Sequence, residues 1–343
     1  MSATNRIHHI DVLKGIAIFL VVLGHTIRNV DVSVFIYSFH MPLFFIISGL
    51  FFNEKKFQSF GEVVVKKAKT LLLPYVTFYI LGYLYWFFIE KNVRPGLDLP
   101  FYNPLVAFVY GCDIGEFKSV NGILWFLPAL FAAESIFYLI LKLQKKLLIV
   151  GGFVFSLVVA VTLSYAQTEH LPFCLGASFV AVFFIGVGYY SKGVLTLDLA
   201  VKKRIIYFII SMILFVVTYK VAQHNPGINV KYAELQNPLL FVVTAFTGSL
   251  ATLLLAFAVL KMSLLEYFGR NTLYFIGFSE PIKRVVIYLS AKISPLSVEE
   301  LRLSIPFSLG MVVICFILMV PVIFIFNKYL FFTVGKRQKK VAV

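Results

Sequence analysis

Four ionisable side chains, Asp11, Lys14, His25 and His40, interrupt the apolar stretch 10–52. Their types suit proton transfer and charge neutralisation. An imidazole titrates near neutral pH and is the usual group that takes a proton from a hydroxyl nucleophile. Inside a segment that crosses a bilayer each such group is costly, so each is a functional candidate until a structural partner accounts for it. On a helix the steps from Lys14 to His25 turn through about 1100°, within about 20° of whole turns, and rise roughly 16 Å. The two residues therefore share one face, three turns apart, with His25 deep in the span. Asp11 precedes Lys14 at the spacing of an i,i+3 ion pair, and both that neutralising role and a direct part in the chemistry are open to it. His40 stands just before Pro42, where the helix is expected to distort. It either faces the same cavity as His25 or hydrogen-bonds a carbonyl freed by the proline.

The elements that must position these residues are expected to be membrane helices. Of the 343 residues, 60% are hydrophobic and 14% charged, far outside the soluble range. The mean hydropathy is +0.91. Ten apolar runs have spanning length: 10–28, 34–52, 70–89, 122–141, 147–165, 172–190, 205–221, 237–260, 271–290 and 304–327. They predict an all-α polytopic integral membrane protein of about ten transmembrane helices. One membrane domain covers 1–343, with a short N-terminal segment 1–9 and a basic tail 328–343. Arg6 and the apolar run after it have the look of a signal peptide, but Asp11 and Lys14 interrupt the run and no small-residue cleavage site follows, so an uncleaved first helix is expected.

With the N-terminus inside, the inner pieces hold twenty Lys and Arg and the outer pieces eight, a bias that puts both termini in the cytoplasm. The net charge of +15 therefore serves topology and contact with the lipid bilayer, not nucleic acid. Cys112, Cys174 and Cys315 are too dispersed to predict a disulfide framework. No metal constellation emerges, because His8 and His9 lie exposed at the terminus and His170 and His224 are isolated in loops. P-loop, dinucleotide and Gly-x-Ser-x-Gly fingerprints are absent.

The segment IDVLKGIAIFLVVLGHT, in which ten residues separate Lys14 from His25, and the following SFHMPLFFIISGLFF strongly resemble the opening of the membrane-bound acyltransferase-3 family, especially its fucose O-acetylase-like branch. KKAKTLLLPY at 66–75, LWFLPALF at 124–131 and FGRNTLYFI at 268–276 are similar to later family segments. The resemblance implies a polytopic enzyme that O-acylates sugars, with acetyl-CoA as donor and a saccharide or lipid-linked glycan as acceptor. Two departures stand out. Many members carry Arg at the position of Lys14, and Lys keeps the charge without the planar fork that suits a phosphate. Members often place a His shortly after the segment matched by GRNTLYF, where this chain has Ser279 and Glu280.

On this reading His25 is the general base, with Asp11, His40 and Glu280 as further catalytic candidates. Lys14 and the cluster Lys66, Lys67 and Lys69, at the membrane surface before Pro74, are candidates for the donor phosphates. Trp125 and Ser279 are candidates for acceptor contacts, Trp125 having the ordinary alternative of an interface anchor. The run from Ser279 through Pro281 to Lys283 and Arg284 reads as a broken helix lining a polar cavity, since a proline and three charges cannot face lipid. There Glu280 either orients His25 or an acceptor hydroxyl, or simply pairs with Arg284 at i,i+4. Glu134, in the fourth span, needs a partner. The alternative function is a transporter of a polar glycan, in which buried charges line a pathway. A carrier would show paired halves with matching broken helices, whereas an enzyme gathers its polar groups around His25.

Overall fold

In hydrocarbon a long apolar run satisfies its backbone polar groups only by closing hydrogen bonds within itself, as a helix. Among the described residues each long apolar run does so. The computed structural model describes residues 8–93, 99–166, 171–196, 203–259 and 262–336. Arg6 and His170, and of the other cations counted above Arg94, Lys202, Lys261, Arg337, Lys339 and Lys340, lie outside them. The helices in order are α1 (His8–Thr26), α2 (Val30–Tyr37), α3 (His40–Phe51), α4 (Phe60–Lys67), α5 (Leu73–Tyr85), α6 (Lys91–Val93), α7 (Asn103–Tyr110) and α8 (Phe126–Leu141). There follow α9 (Lys146–Ala166), α10 (Leu175–Tyr190), α11 (Arg204–Ala222), α12 (Pro238–Ala258), α13 (Ser263–Arg270), α14 (Thr272–Ile293), α15 (Val298–Leu303) and α16 (Ile305–Lys328).

Eight of these segments are long and apolar enough to span a membrane, and the protein is a polytopic all-α membrane protein. The expected ten runs resolve into these eight plus two others. One is α8, short at 16 residues; the other is α14, long enough at 22 residues but interrupted by Glu280, Lys283, Arg284 and Lys292. The second run is split at Ser38 and Phe39 into α2 and α3. The third is longer than expected, reaching from Phe60 to Val93 through two π-helical turns, Ala68–Leu72 and Trp86–Glu90. A π turn widens the hydrogen-bond ladder, and the first leads directly into Pro74, which has no N–H to give to it.

The break expected at Pro281 does not occur, and α14 runs through the proline unbroken. Pro281 deprives the Gly277 carbonyl of its helical donor. The buried Asn121 side chain supplies a replacement from outside the helix, donating Nδ2–H to Gly277 O at 2.9 Å and to Ile276 O at 3.3 Å.

Helix α1 is central, packing on α3, α12, α13, α14 and α16. In its most apolar window 61% of residues are buried, against 17% for α9 and for α11, which leaves those two on the lipid-facing periphery. Its first turn is anchored too. His8 is exposed as expected yet places Nδ1 3.0 Å from Glu266 Oε2 on α13, while His9, also expected to be exposed, is half-buried with its ring 4.5 Å from that of Phe257. Without a hydrophobic driving force between helices in lipid, close backbone approach at small residues does much of the packing. At the α3–α10 crossing a side chain on Gly188 would enter the Ile46 carbonyl, and one on Gly49 the Ile185 carbonyl. At the α1–α13 crossing Gly269 and Gly15 meet the backbone of Asp11 and Leu265 in the same way.

Because backbone cannot step aside as a rotamer can, Gly188→Ala is expected to cost about 3 kcal/mol of stability. Gly151, on peripheral α9 with open space around its Cα, should tolerate alanine and gain up to about 1 kcal/mol from helix propensity. Thermal unfolding of the two variants in detergent checks the contrast, and equal melting temperatures would contradict the crossing geometry.

Candidate functional site

The site is built where α1 stops. The last four carbonyls of a helix have no helical donor, and the end carries partial negative charge. Here two cations from distant segments take the bare carbonyls. Lys283 Nζ donates to His25 O at 2.6 Å, Arg302 Nη2 donates to the same oxygen at 2.9 Å, and Arg302 Nε donates to Thr26 O at 2.7 Å. His25 is thus in the final turn of α1, not deep within the span as expected. The chain turns immediately after it, through Asn29, whose side chain caps α2 by accepting from Val32 N.

Gly24 lets α2 lie against this turn, since a Cβ there would stand 3.0 Å from Ile36 Cγ2. Tyr37 is thereby brought edge-on to His25, with its hydroxyl 3.4 Å from His25 Nδ1 and the ring centroids 5.8 Å apart. With Nδ1–H turned to the phenol oxygen, Nε2 keeps a lone pair, the atom a general base requires. The Tyr37 ring also stands 5.1 Å from that of His40. Of the two settings weighed for His40, the shared cavity holds and the bond to the carbonyl freed by Pro42 does not. It lines the cavity that His25 lines, and its Nδ1 donates to Ile36 O at 2.8 Å. That carbonyl lies in the last turn of α2 and also accepts from Phe39 N at 3.3 Å. The carbonyl freed by Pro42 itself, Ser38 O, is met by Thr244 Oγ1 at 3.5 Å. A carbonyl only accepts, so the proton of neutral His40 sits on Nδ1 and its Nε2 is also a base.

Two cavities meet at this point. The first, about 490 Å³, runs along α1 from His25 to Ile18 and is walled by Met41, Phe44, Trp125 and Phe126 under the 227–234 loop. The second, about 790 Å³, lies between the end of α1, the π turn at 86–90, α14 and α15. Among the described residues only His25 and Tyr37 line both. The second holds the charge network. Glu280 Oε2 lies 2.5 Å from Lys283 Nζ and its Oε1 accepts from Arg284 Nε at 3.1 Å, while Arg284 also donates to Glu90 at 3.0 Å and to Val120 O at 3.0 Å. The i,i+4 pairing of Glu280 with Arg284 is therefore formed. Glu280 makes no hydrogen bond to His25; it reaches that residue through Lys283.

The remaining candidates divide. Trp125 lines the first cavity. Ser279 lines neither, because its hydroxyl turns back to Phe275 O at 2.5 Å. The expected Asp11–Lys14 ion pair does not close; the Lys14 ammonium instead sits 4.2 Å from the Phe51 ring centroid at the far end of α3. At that same end Lys67 lies 5.1 Å from the Phe52 ring and 2.8 Å from Glu134 Oε2, whose other oxygen accepts from Ser48. Lys67 is the partner that buried Glu134 needed. Lys66 pairs with Glu62 at 2.5 Å, and Lys69 is exposed beside it.

Sequence reasoning missed Tyr37, Arg302, Glu90, Asn121 and the cluster Asp113, Lys231 and Tyr232. The cluster ties two loops together over the first cavity. Asp113 Oδ2 accepts from Lys231 Nζ at 2.7 Å and from the Tyr232 hydroxyl at 3.0 Å, and its Oδ1 from Ser119 N at 2.7 Å. Burial alone would push the Asp113 carboxyl up, but the Lys231 ammonium and these hydrogen bonds outweigh it and hold the group below its ordinary range. The Lys231 ammonium, likewise opposed by burial, is held above its ordinary range by Asp113. Spacing offered one usable signal, Tyr37 at i−3 from His40; the others come from far along the chain.

Residues 7–328 match the acyltransferase-3 family profile described as an acyltransferase domain. The nodulation protein NolL of Sinorhizobium fredii (strain NBRC 101917 / NGR234) is 33% identical over 196 residues, covering 52% of this chain and 50% of that protein. The match thus spans about half the length of this curated relative. No solved structure matches the chain.

The loop tie makes a pH prediction. Asp113, depressed when folded, contributes stability that is present above its unfolded pKa of about 3.9 and lost as pH falls through the lower folded value. Lys231, raised when folded, contributes stability below about 10.4 that is lost as pH rises through its folded value. Asp113→Asn should therefore cost about 2 kcal/mol at neutral pH and flatten the acid limb. Melting temperature against pH for both proteins checks it; parallel curves would refute the assignment.

Proposed function

We infer the reaction from one premise: the chain belongs to the membrane-bound acyltransferase-3 family. The function supported best is transfer of an acetyl group from acetyl-CoA to a hydroxyl of a cell-surface or lipid-linked saccharide, by an enzyme of the cell's plasma or inner membrane. The observation that carries it is His25 in the shared wall of two cavities whose volumes, about 490 and 790 Å³, are those of small-molecule sites.

In the proposed step His25 Nε2 takes the proton of the acceptor hydroxyl as its oxygen attacks the thioester carbonyl carbon. The C–S bond then breaks, and the CoA thiolate takes the proton back from the imidazolium. The Tyr37 hydroxyl is the nearest fixed polar partner of His25 and holds its ring. Trp125 and Tyr232, both on the first cavity, offer the flat apolar faces that a sugar ring packs against. The first cavity descends to Ile18, one turn from Lys14, which suits the narrow arm of CoA with its phosphates left near Lys14 and Lys69. The gathering of Tyr37, His40, Lys283, Glu280 and Arg302 around His25 favours an enzyme over a glycan carrier.

His25→Ala should lower acetyl transfer by roughly 10²–10⁴-fold with membrane insertion unchanged. Radiolabelled acetyl-CoA and an acceptor glycan extract read this directly, and a rate near wild type would overturn the mechanism. Lys14→Ala with Lys69→Ala should raise the apparent KM for acetyl-CoA about tenfold, each lost charge-assisted contact removing part of the donor's binding. Neither residue is tied to a carboxylate within 4.0 Å among the described residues, whereas removing Lys67 would strand Glu134. An unchanged donor KM in the double variant would assign these lysines to topology.

A further inference from the structure

The second cavity carries more positive charge than its own network uses. Its described lining includes Arg28, Lys283, Arg284, Lys292 and Arg302 against two carboxylates, Glu90 and Glu280. Both carboxylates are already committed, Glu280 to Lys283 and Arg284, and Glu90 to Arg284. Arg28 and Lys292 have no carboxylate within 4.0 Å among the described residues. Lys283, only 5% exposed, is balanced by Glu280, whereas Arg28 and Lys292 stand exposed at the cavity's edge, placed to receive an anion by charge-assisted hydrogen bonds.

The rim has the opposite character. Ile89, Val93, Val285 and Tyr288 line the same cavity yet are 54%, 46%, 39% and 39% exposed. They sit on the third spanning segment and on α14, the two helices between which the cavity lies, with Phe88 and Leu289 beside them, 68% and 56% exposed. Exposed apolar side chains on helices of a membrane protein suit contact with hydrocarbon, and here they give the gap between the two helices an apolar mouth. A site with cationic depth and a greasy lateral mouth fits an amphiphile whose head is anionic and whose tail stays in the membrane.

We propose that the second cavity binds the phosphate or diphosphate head of a lipid, with Arg28 and Lys292 as head-group ligands and the tail leaving between the third segment and α14. This rests on the acyl-transfer reading only for its purpose. A glycan joined to such a head would extend past Tyr37 to His25 in the common wall, which makes a lipid-linked saccharide the acceptor class.

The test is a binding measurement on the full chain in detergent, so its result does not depend on whether acetyl transfer occurs. Farnesyl diphosphate, inorganic pyrophosphate and CoA are titrated against the wild type and Arg28→Gln/Lys292→Gln, with the melting temperature as readout. The unliganded double variant should melt with the wild type, both side chains being at the cavity's outer edge. The expected result is a rise with farnesyl diphosphate, a response to pyrophosphate at least tenfold weaker, and a loss of about tenfold or more in the variant's affinity for the lipid. Equal response to farnesyl diphosphate and pyrophosphate would overturn the lipid assignment in favour of a free phosphate site. Loss of CoA binding in the variant would give the site to the donor instead. An unaltered response to farnesyl diphosphate in the variant would remove Arg28 and Lys292 as ligands.

Discussion

A helix that ends among other helices, shielded from water, leaves carbonyls that something must satisfy, and this protein answers with two cations on the end of α1. The rest of the charged interior follows from that choice. Lys283 reaches the His25 carbonyl from within a membrane helix, so it needs a counter-charge, and Glu280 stands one turn before it. Glu280 has two oxygens to occupy and takes Arg284 as well; Arg284, with donors to spare, draws in Glu90 and the Val120 carbonyl. Groups that look out of place along α14 are thus consequences of where another helix stops. The same clamp fixes the backbone of the residue proposed as base, so imidazole and charge network share an anchor without a direct hydrogen bond between them.

The spanning elements were legible because lipid makes one demand of a segment, a long apolar run, and the chain meets it with little interruption. Where the demand is relaxed, reading became harder. Helix α14 was expected to break at Pro281 because a proline's local effect is written in the sequence, while its remedy, Asn121, lies 156 residues from the Gly277 carbonyl it serves. The same limit applies to the site. The common face of Lys14 and His25 follows from helical spacing, but Arg302 looked like one more external cation and is instead a cap on α1, 277 residues from the carbonyl it holds. Asp11 and Lys14 have the spacing of an ion pair, yet spacing does not know that Phe51 offers its ring face to the same ammonium. Lys66, Lys67 and Lys69 read as one cluster and are three environments, because Glu62 and Glu134 divide them.

The two cavities differ in kind for a reason rooted in their walls. The first is bounded by α1, α2, α3 and α8, whose facing side chains are mostly apolar and aromatic, with polar groups gathered at His25, Tyr37 and His40 and in the 227–234 loop that closes over it. The second is bounded by α14, which cannot be apolar because it carries the clamp. One chamber therefore suits a neutral, extended group and the other a charged one. Their contact is narrow, since Gly24 and the break between α2 and α3 bring His25 and Tyr37 together there and leave the walls otherwise separate.

Asn121 gives α14 a mechanical property that neither partner has alone. Its side chain bridges the Gly277 and Ile276 carbonyls, while its own carbonyl oxygen on the side chain accepts from Ile123 N in the loop that leads to Trp125. Moving that loop outward withdraws two donors from the one point where the helix ladder is already missing a rung. The helix would become supple at Gly277, one turn before Glu280, and its far half, with Lys283, could swing relative to α1. Asn121 is in that sense a splint: the stiffness of α14 past Gly277, and with it the place of Lys283 on the end of α1, is set in part by a loop that belongs to the wall of the other chamber.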